Sequence, residues 1–201
     1  MSLINYSDLT AAIASWTGRS DYTAANYSDF TTLFEAWVNR NIRSVSMETQ
    51  ATLTPSAGSA TLPSDFMQWR RVTWQGSTIS ELEYVHPSIL QAYYPSSPSA
   101  TPVMFTIEGT TLKIRPIDGT NIVLDYYQKI PSLVTNSTNW LMTNWPDAYL
   151  SGVLAEAYLY NKDPDNMAIW LQRREAAKED INRVTINMKA PSTVRVIGYT
   201  P

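Results

Sequence analysis

The chain has 201 residues, enough for one compact domain or for a core that carries one insertion. Its 15 Lys and Arg against 18 Asp and Glu give a net charge of −3 with no basic stripe, which excludes a sequence-independent grip on a phosphate backbone. There is no Cys and a single His, which excludes disulfide frameworks and thiolate chemistry and leaves little for a zinc site.

Charged residues make up only 16 % of the chain, below the roughly 25 % usual for soluble domains, while seven Trp and twelve Tyr enrich it in aromatics. A surface poor in charge and rich in Tyr, Trp and Thr suits burial against neighbouring molecules. The opening Met1-Ser2-Leu3-Ile4-Asn5-Tyr6 has neither a basic nor an apolar leader segment, so no signal peptide is expected. No apolar run reaches the ~20 residues that span a bilayer. The expectation is a soluble protein made in a cytoplasm.

Residues 7–17 predict a short helix capped by Ser7, with Leu9, Ile13 and Trp16 on one face and Gly18 at its end. Residues 28–46 predict a longer helix capped by Ser28, with Phe30, Leu33, Phe34, Trp37, Val38, Ile42 and Val45 at helical spacing. From residue 48 the pattern turns to strands. Gln50–Pro55 and Ala60–Pro63 read as a hairpin around Ser56-Ala57-Gly58-Ser59. Met67–Trp74 and Ile79–Val85 are strand candidates, and His86-Pro87-Ser88 opens a short helix through Tyr94. Pro95, Pro98 and Pro102 make the next stretch a loop.

Val103–Ile107, Leu112–Ile114 and Ile122–Tyr126 alternate with period two, the pattern of an antiparallel sheet with one buried face. Ala148–Tyr160 is apolar nearly all round and predicts a central buried helix, entered through Pro146. Asp163-Pro164 opens the last helix, where Met167, Trp170, Leu171, Arg174, Ala177, Ile181, Val184 and Met188 follow a 3–4 spacing and Glu175 and Lys178 can pair. Pro191 ends it. Residues 191–201 then alternate β-formers with polar residues and have no partner hairpin.

The fold class is therefore α+β. Residues 1–47 and 140–190 form a helical bundle, 48–139 an antiparallel β insert, and 191–201 an extended tail.

The search for chemistry yields little. His86 sits at a helix start with no nucleophile or orienting acid at useful spacing, and reads as a capping residue. Glu81 and Glu83, two apart on one expected strand, would share a face, but nothing fixes their separation from a third group, and a solvated strand face is the favoured reading. Asp163 and Asp165 flank a helix start and lack the spacing of a calcium loop. Arg70 and Arg71, flanked by Trp69 and Trp74, should point to opposite faces of a strand, with cross-strand stacking on Trp as their use. No cofactor or metal is expected.

The stretch Asn139-Trp140-Leu141-Met142-Thr143-Asn144-Trp145-Pro146-Asp147-Ala148-Tyr149-Leu150-Ser151-Gly152-Val153-Leu154-Ala155-Glu156-Ala157 resembles a motif of the head-to-tail adaptor proteins of tailed bacteriophages. In that pattern Trp-Leu, Pro-Asp-x-Tyr-Leu-x-Gly and Leu-x-Glu-Ala open a helix. Lys162-Asp163-Pro164-Asp165, the long final helix with Trp170, and Ala60-Thr61-Leu62-Pro63-Ser64-Asp65-Phe66 fall in a matching order, over roughly residues 5–190.

The resemblance implies a structural, non-enzymatic virion protein at the head–tail junction, made in the host bacterial cytoplasm. It implies a ring, usually of twelve copies, between the portal protein and a tail or nozzle protein. Genome DNA would pass through without sequence-specific binding, and there would be no membrane contact. It also implies a C-terminal extension that reaches the portal. Val194, Arg195, Val196, Ile197 and Tyr199 fit a strand added to a partner's sheet edge. Tyr93, Tyr94, Pro95 and Pro98 offer a rigid contact toward the tail. Two other readings stay open: a carbohydrate- or receptor-binding module using Trp69 and Trp74, and a hydrolase using Glu81 and Glu83.

Overall fold

A computed structural model describes residues 3–189, so the tail residues Val194, Arg195, Val196, Ile197 and Tyr199 lie outside the described residues. The fold is α+β. In chain order, α1 (Tyr6–Thr17) and α2 (Ala24–Asn41) are followed by β1 (Glu48–Leu53), β2 (Ser59–Thr61), β3 (Phe66–Gln75), β4 (Ile79–Glu81) and β5 (Glu83–Tyr84). Then come α3 (Pro87–Tyr93), β6 (Met104–Glu108), β7 (Thr111–Arg115), β8 (Ile122–Gln128), α4 (Leu133–Asn136), α5 (Trp140–Asn144), α6 (Pro146–Tyr160) and α7 (Pro164–Lys189). The chain divides into two compact units. One joins the segment up to Ser46 to the segment from Ile130 onward, and the other is Met47–Lys129.

In the helical unit the caps move two expected boundaries. α1 starts one residue before Ser7, because the extended Asn5 turns its side chain to accept the Asp8 N–H at 2.9 Å. α2 starts at Ala24, not at 28. Thr23 and Asn26 form a reciprocal capping box inside what reads as a polar loop. α2 also ends early: Ile42 is extended and buried, so burial and not helical periodicity places it. Leu33 and Trp16, expected on core faces, are more than half exposed.

α6 is the hub. Pro146 occupies its first turn, and Ala148, Tyr149, Ser151–Ala155 and Ala157 are all buried, against α1, α2, α5 and α7. Its Gly152 allows the closest approach: a Cβ there would lie 2.0 Å from the Phe34 ring of α2. At α7, the Asp163 side chain accepts the Asn166 N–H at 3.1 Å. Bonds from the Asn166 side chain and backbone hold that carboxyl below its ordinary range. Arg174 lies 4.3 Å over the Trp37 ring and 3.6 Å from Glu156, joining α7, α2 and α6. Glu175 pairs with Lys178 as its i,i+3 spacing suggests.

Residues 130–139, grouped by sequence pattern with the β insert, pack in the helical unit. Polar side chains of α2 hold them there. Asn39 accepts the Ile130 N–H at 2.9 Å and Glu35 the Leu133 N–H at 2.7 Å. The Tyr149 hydroxyl donates to the same Glu35 oxygen at 3.0 Å and accepts from Asn139 Nδ2 at 2.6 Å. Asn139 also donates to the Pro131 carbonyl at 2.8 Å and accepts the Met142 N–H at 3.0 Å, capping α5. Glu35 is only 6 % exposed. Burial pushes its carboxyl up, against the downward pull of the bonds from Leu133, Tyr149 and Ser132. Burial, reinforced by Glu35, also raises the Tyr149 phenol.

The β unit holds two four-stranded sheets, ordered β1-β8-β3-β4 and β2-β7-β6-β5. The expected hairpin of 50–63 does not form as a strand pair. β1 pairs with β8 in one sheet and β2 with β7 in the other, and the turn keeps only the Ser56–Ser59 bridge. Nor is pairing wholly antiparallel, since β5 runs parallel to β6. Apolar residues of both sheets, among them Val72, Trp74, Phe105, Leu112, Ile114, Ile122 and Leu124, close one core. Two partners sharing one face bury more apolar area than a solvated single sheet, which is why alternation alone misleads here.

Two stability outcomes follow from the Glu35 cluster. Glu35→Ala strips the acceptor from the Leu133 N–H and the Tyr149 hydroxyl and should lower unfolding free energy by about 2–4 kcal/mol in urea melts. Glu35→Gln keeps an acceptor and should cost less than about 1 kcal/mol at pH 7. The folded state holds the Glu35 proton more tightly than the unfolded chain, whose value lies near 4.5. The group therefore contributes stability that is full below about pH 4.5 and is lost as pH rises through the higher folded value. Melting temperatures across pH 4–8 should show that loss in the wild type and its absence in Glu35→Gln.

Candidate interaction surfaces

In the β unit, α3 begins where His86 Nδ1 accepts the Ser88 N–H at 3.3 Å, the capping role expected of this histidine. Leu90 turns inward and is buried. Ile89 and Tyr93, four residues apart on one helical face, turn outward, and Tyr93 is 68 % exposed. Tyr94 ends the helix with its N–H on the Leu90 carbonyl at 3.0 Å and is half-buried. Pro95 and Pro98 are exposed. The Pro98 carbonyl accepts the Ile117 N–H at 2.8 Å, and Ala100 donates to the Ile117 carbonyl at 3.2 Å. These bonds tether the loop to the residues that follow β7.

The aromatic pair of the sugar-binding reading, Trp69 and Trp74, makes contacts inside the unit. Trp69 stacks on Tyr84 at 5.3 Å and meets Phe105 edge-on at 5.3 Å. Trp74 is buried, with its indole N–H on Asp118 at 3.0 Å. Trp74 therefore offers no ring to a sugar, and Tyr84 covers one face of Trp69.

Arg70 and Arg71 depart from the expected alternation. The register with β8 skips Arg70, so a bulge lies between Trp69 and Arg71. A bulge adds one residue and breaks the period of two, so both guanidiniums line one polar hollow of about 530 Å³ with Glu48, Gln50, Glu81 and Asp125. Arg70 pairs with Glu48 at 2.6 Å and lies 5.2 Å over Tyr127, while Arg71 pairs with Asp125 at 2.8 Å. Arg70 thus stacks on Tyr127 and both guanidiniums pair with carboxylates, in place of the expected stacking on Trp.

Glu81 and Glu83 do not form a carboxylate pair. Glu81 ends β4 in one sheet, and Glu83 begins β5 in the other, with buried Leu82 as the corner. Among the described residues no group of three or more His, Cys, Asp or Glu is placed to hold a metal ion. No helix among them is long and apolar enough to cross a membrane.

The helical unit carries exposed apolar residues that periodicity assigns to its interior. Leu33, Leu159 and Tyr160, with Phe30 and Asp29, line a groove of about 270 Å³ between α2 and α6. On α1 and α7, Trp16 is 52 % exposed and meets Trp170 edge-on at 5.2 Å, while Arg173 lies 4.9 Å over the same Trp170 ring. The low charge content is the one sequence signal that points toward such surfaces.

An α+β chain low in charge, whose aromatic and apolar side chains face outward from both units, has the build of an assembly component. The chain belongs to the SU10 adaptor protein family, a family of phage head–tail adaptors, whose model matches residues 4–196. That match runs through both units and includes the Trp140–Ala157 stretch that forms α5 and α6. A comparison with curated proteins finds no match.

Surface and interior aromatics should separate by melting. Tyr93→Ala should leave Tm within about 2 °C of wild type, as expected for an exposed site. Trp69→Ala, which removes contacts to Tyr84 and Phe105, should cost about 3 kcal/mol.

Proposed function

We propose that this phage adaptor assembles as a ring, of twelve copies by family resemblance, between the portal and the tail, and that genome DNA passes through it without sequence-specific contact. The observation that carries the reading is the family match across both units. Net charge adds physical support, since a mildly acidic lining holds no phosphate backbone and leaves the duplex free to slide. The helical unit serves as the ring body.

Val194, Arg195, Val196, Ile197 and Tyr199 supply the portal contact as an added strand. Their β-forming types suit it, because main-chain hydrogen bonds to a sheet edge give affinity and alternate side chains give register. Tyr93, Tyr94, Pro95 and Pro98 supply the contact toward the tail or nozzle protein. A tyrosine at the end of a capped helix and two prolines lose little conformational freedom on binding. The site works by binding alone and needs no cofactor, and the protein resides in the virion after synthesis in the host cytoplasm.

Electron microscopy of the protein mixed with the portal of the same phage tests this. Rings capping the portal are expected, and a protein that stays monomeric with portal present overturns the proposal. Removing residues 191–201 should weaken portal binding about tenfold or more. Tyr93→Ala with Tyr94→Ala should leave portal binding intact and reduce tail attachment.

A further inference from the structure

A closed ring of identical subunits needs two different faces on each subunit, one to insert and one to receive. The helical unit carries two candidate faces that share no residue.

The receiving face is the α2–α6 groove. Its floor is apolar, with Leu33 53 %, Leu159 57 % and Tyr160 56 % exposed, and single large side chains of this kind rarely cluster on a monomer's surface without a partner. Its volume of about 270 Å³ is below that of a drug-sized ligand site and suits a side-chain knob. Its rim is acidic. Glu156 is already engaged by Arg174 at 3.6 Å, whereas Asp29 makes no ion pair among the described residues.

The inserting face is the ridge where α1 meets α7. Trp16 projects from it, braced edge-on against Trp170. Ile169, 53 % exposed, lies one turn before Arg173 on α7. Arg173 rests on the Trp170 ring and makes no ion pair among the described residues. Two carboxylates line the hollow beside it, Asp147 and Asp180. Asp180 is paired with Arg183 at 2.6 Å, and Asp147 sits in the first turn of α6, where the helix dipole favours it. Arg173 is thus a cation on this ridge with no ion pair among the described residues, next to a Trp, and these two residue types dominate interface energetics.

We infer that the α1–α7 ridge of one copy, led by Trp16 with Ile169 and Arg173, docks in the α2–α6 groove of the next, with Arg173 facing Asp29. The inference rests on the ring reading above and adds which faces meet. Apolar insertion supplies the affinity, and the single Arg–Asp pair fixes orientation, since like charges placed opposite each other across an interface oppose it strongly. The contact is heterologous, so the same pairing repeats around the ring until it closes.

Charge reversal tests it on the full chain mixed with the portal of the same phage, with rings counted by electron microscopy. Asp29→Arg and Arg173→Asp are each expected to reduce ring occupancy about tenfold or more, and the double variant to return to within about twofold of wild type. Both sites are exposed, so Tm should stay within about 2 °C. If a reversed chain melts lower, Asp29→Asn and Arg173→Gln are read instead, each with a smaller loss of rings expected. Wild-type protein that forms no ring overturns the ring reading itself. Wild-type rings that survive both single changes, or a double variant that fails to recover, overturn the docking inference and leave the ring reading standing.

Discussion

The Tyr149 hydroxyl binds two partners from distant segments, donating to Glu35 of α2 and accepting from Asn139 ahead of α5. Glu35 also takes the Leu133 N–H. The helical unit joins the segment up to Ser46 to the segment from Ile130 onward, so the returning segment has to be held against α2. Apolar burial supplies most of the free energy of that packing but has no direction. Hydrogen bonds to one buried carboxyl have direction, and they fix where residues 130–139 settle and hence where α5 and α6 begin. With no cation facing it in the cluster, burial raises the Glu35 carboxyl, and the donors around it offset the cost of sequestering it.

The same cluster gives the family motif a physical meaning. Asn139 caps α5, Pro146 starts α6 where a missing N–H costs nothing, Tyr149 reaches the α2 carboxyl, and Gly152 lets Phe34 lie against the α6 backbone. The spacing is set by helix geometry, which brings Tyr149 and Gly152 to one face three residues apart. These residues build the helical unit. The exposed apolar residues, such as Leu33, Trp16 and Tyr93, lie elsewhere, where exposure gives the fold nothing in return.

The β unit shows how pairing exceeds local pattern. Strands such as Leu112–Ile114 and Ile122–Tyr126 are legible because alternation follows from the pleat. Which strand pairs with which is not, because period two looks the same in either sheet. β1 and β2 flank a turn sequence yet join different sheets, and Leu82 carries the chain across from one to the other. The bulge at Arg70 turns two neighbouring guanidiniums to one face, and no residue type announces it. Helix boundaries failed for a related reason: Thr23 and Asn26 cap each other only when both side chains turn back on the same turn.

By itself, the sequence determined the element types, the α+β class, the buried α6, the capping His86 and the likeness to phage adaptors. Each of these rests on local spacing, composition or an ordered motif, and local spacing survives folding. Only the tertiary structure decided that Leu33 and Trp16 face outward, that Trp69 and Trp74 are occupied by their neighbours, that Glu81 and Glu83 part into two sheets, and that residues 130–139 belong with the helices. Those outcomes depend on contacts between residues tens of positions apart, where the competition for buried surface and for hydrogen-bond donors is settled among segments that no single window of sequence contains.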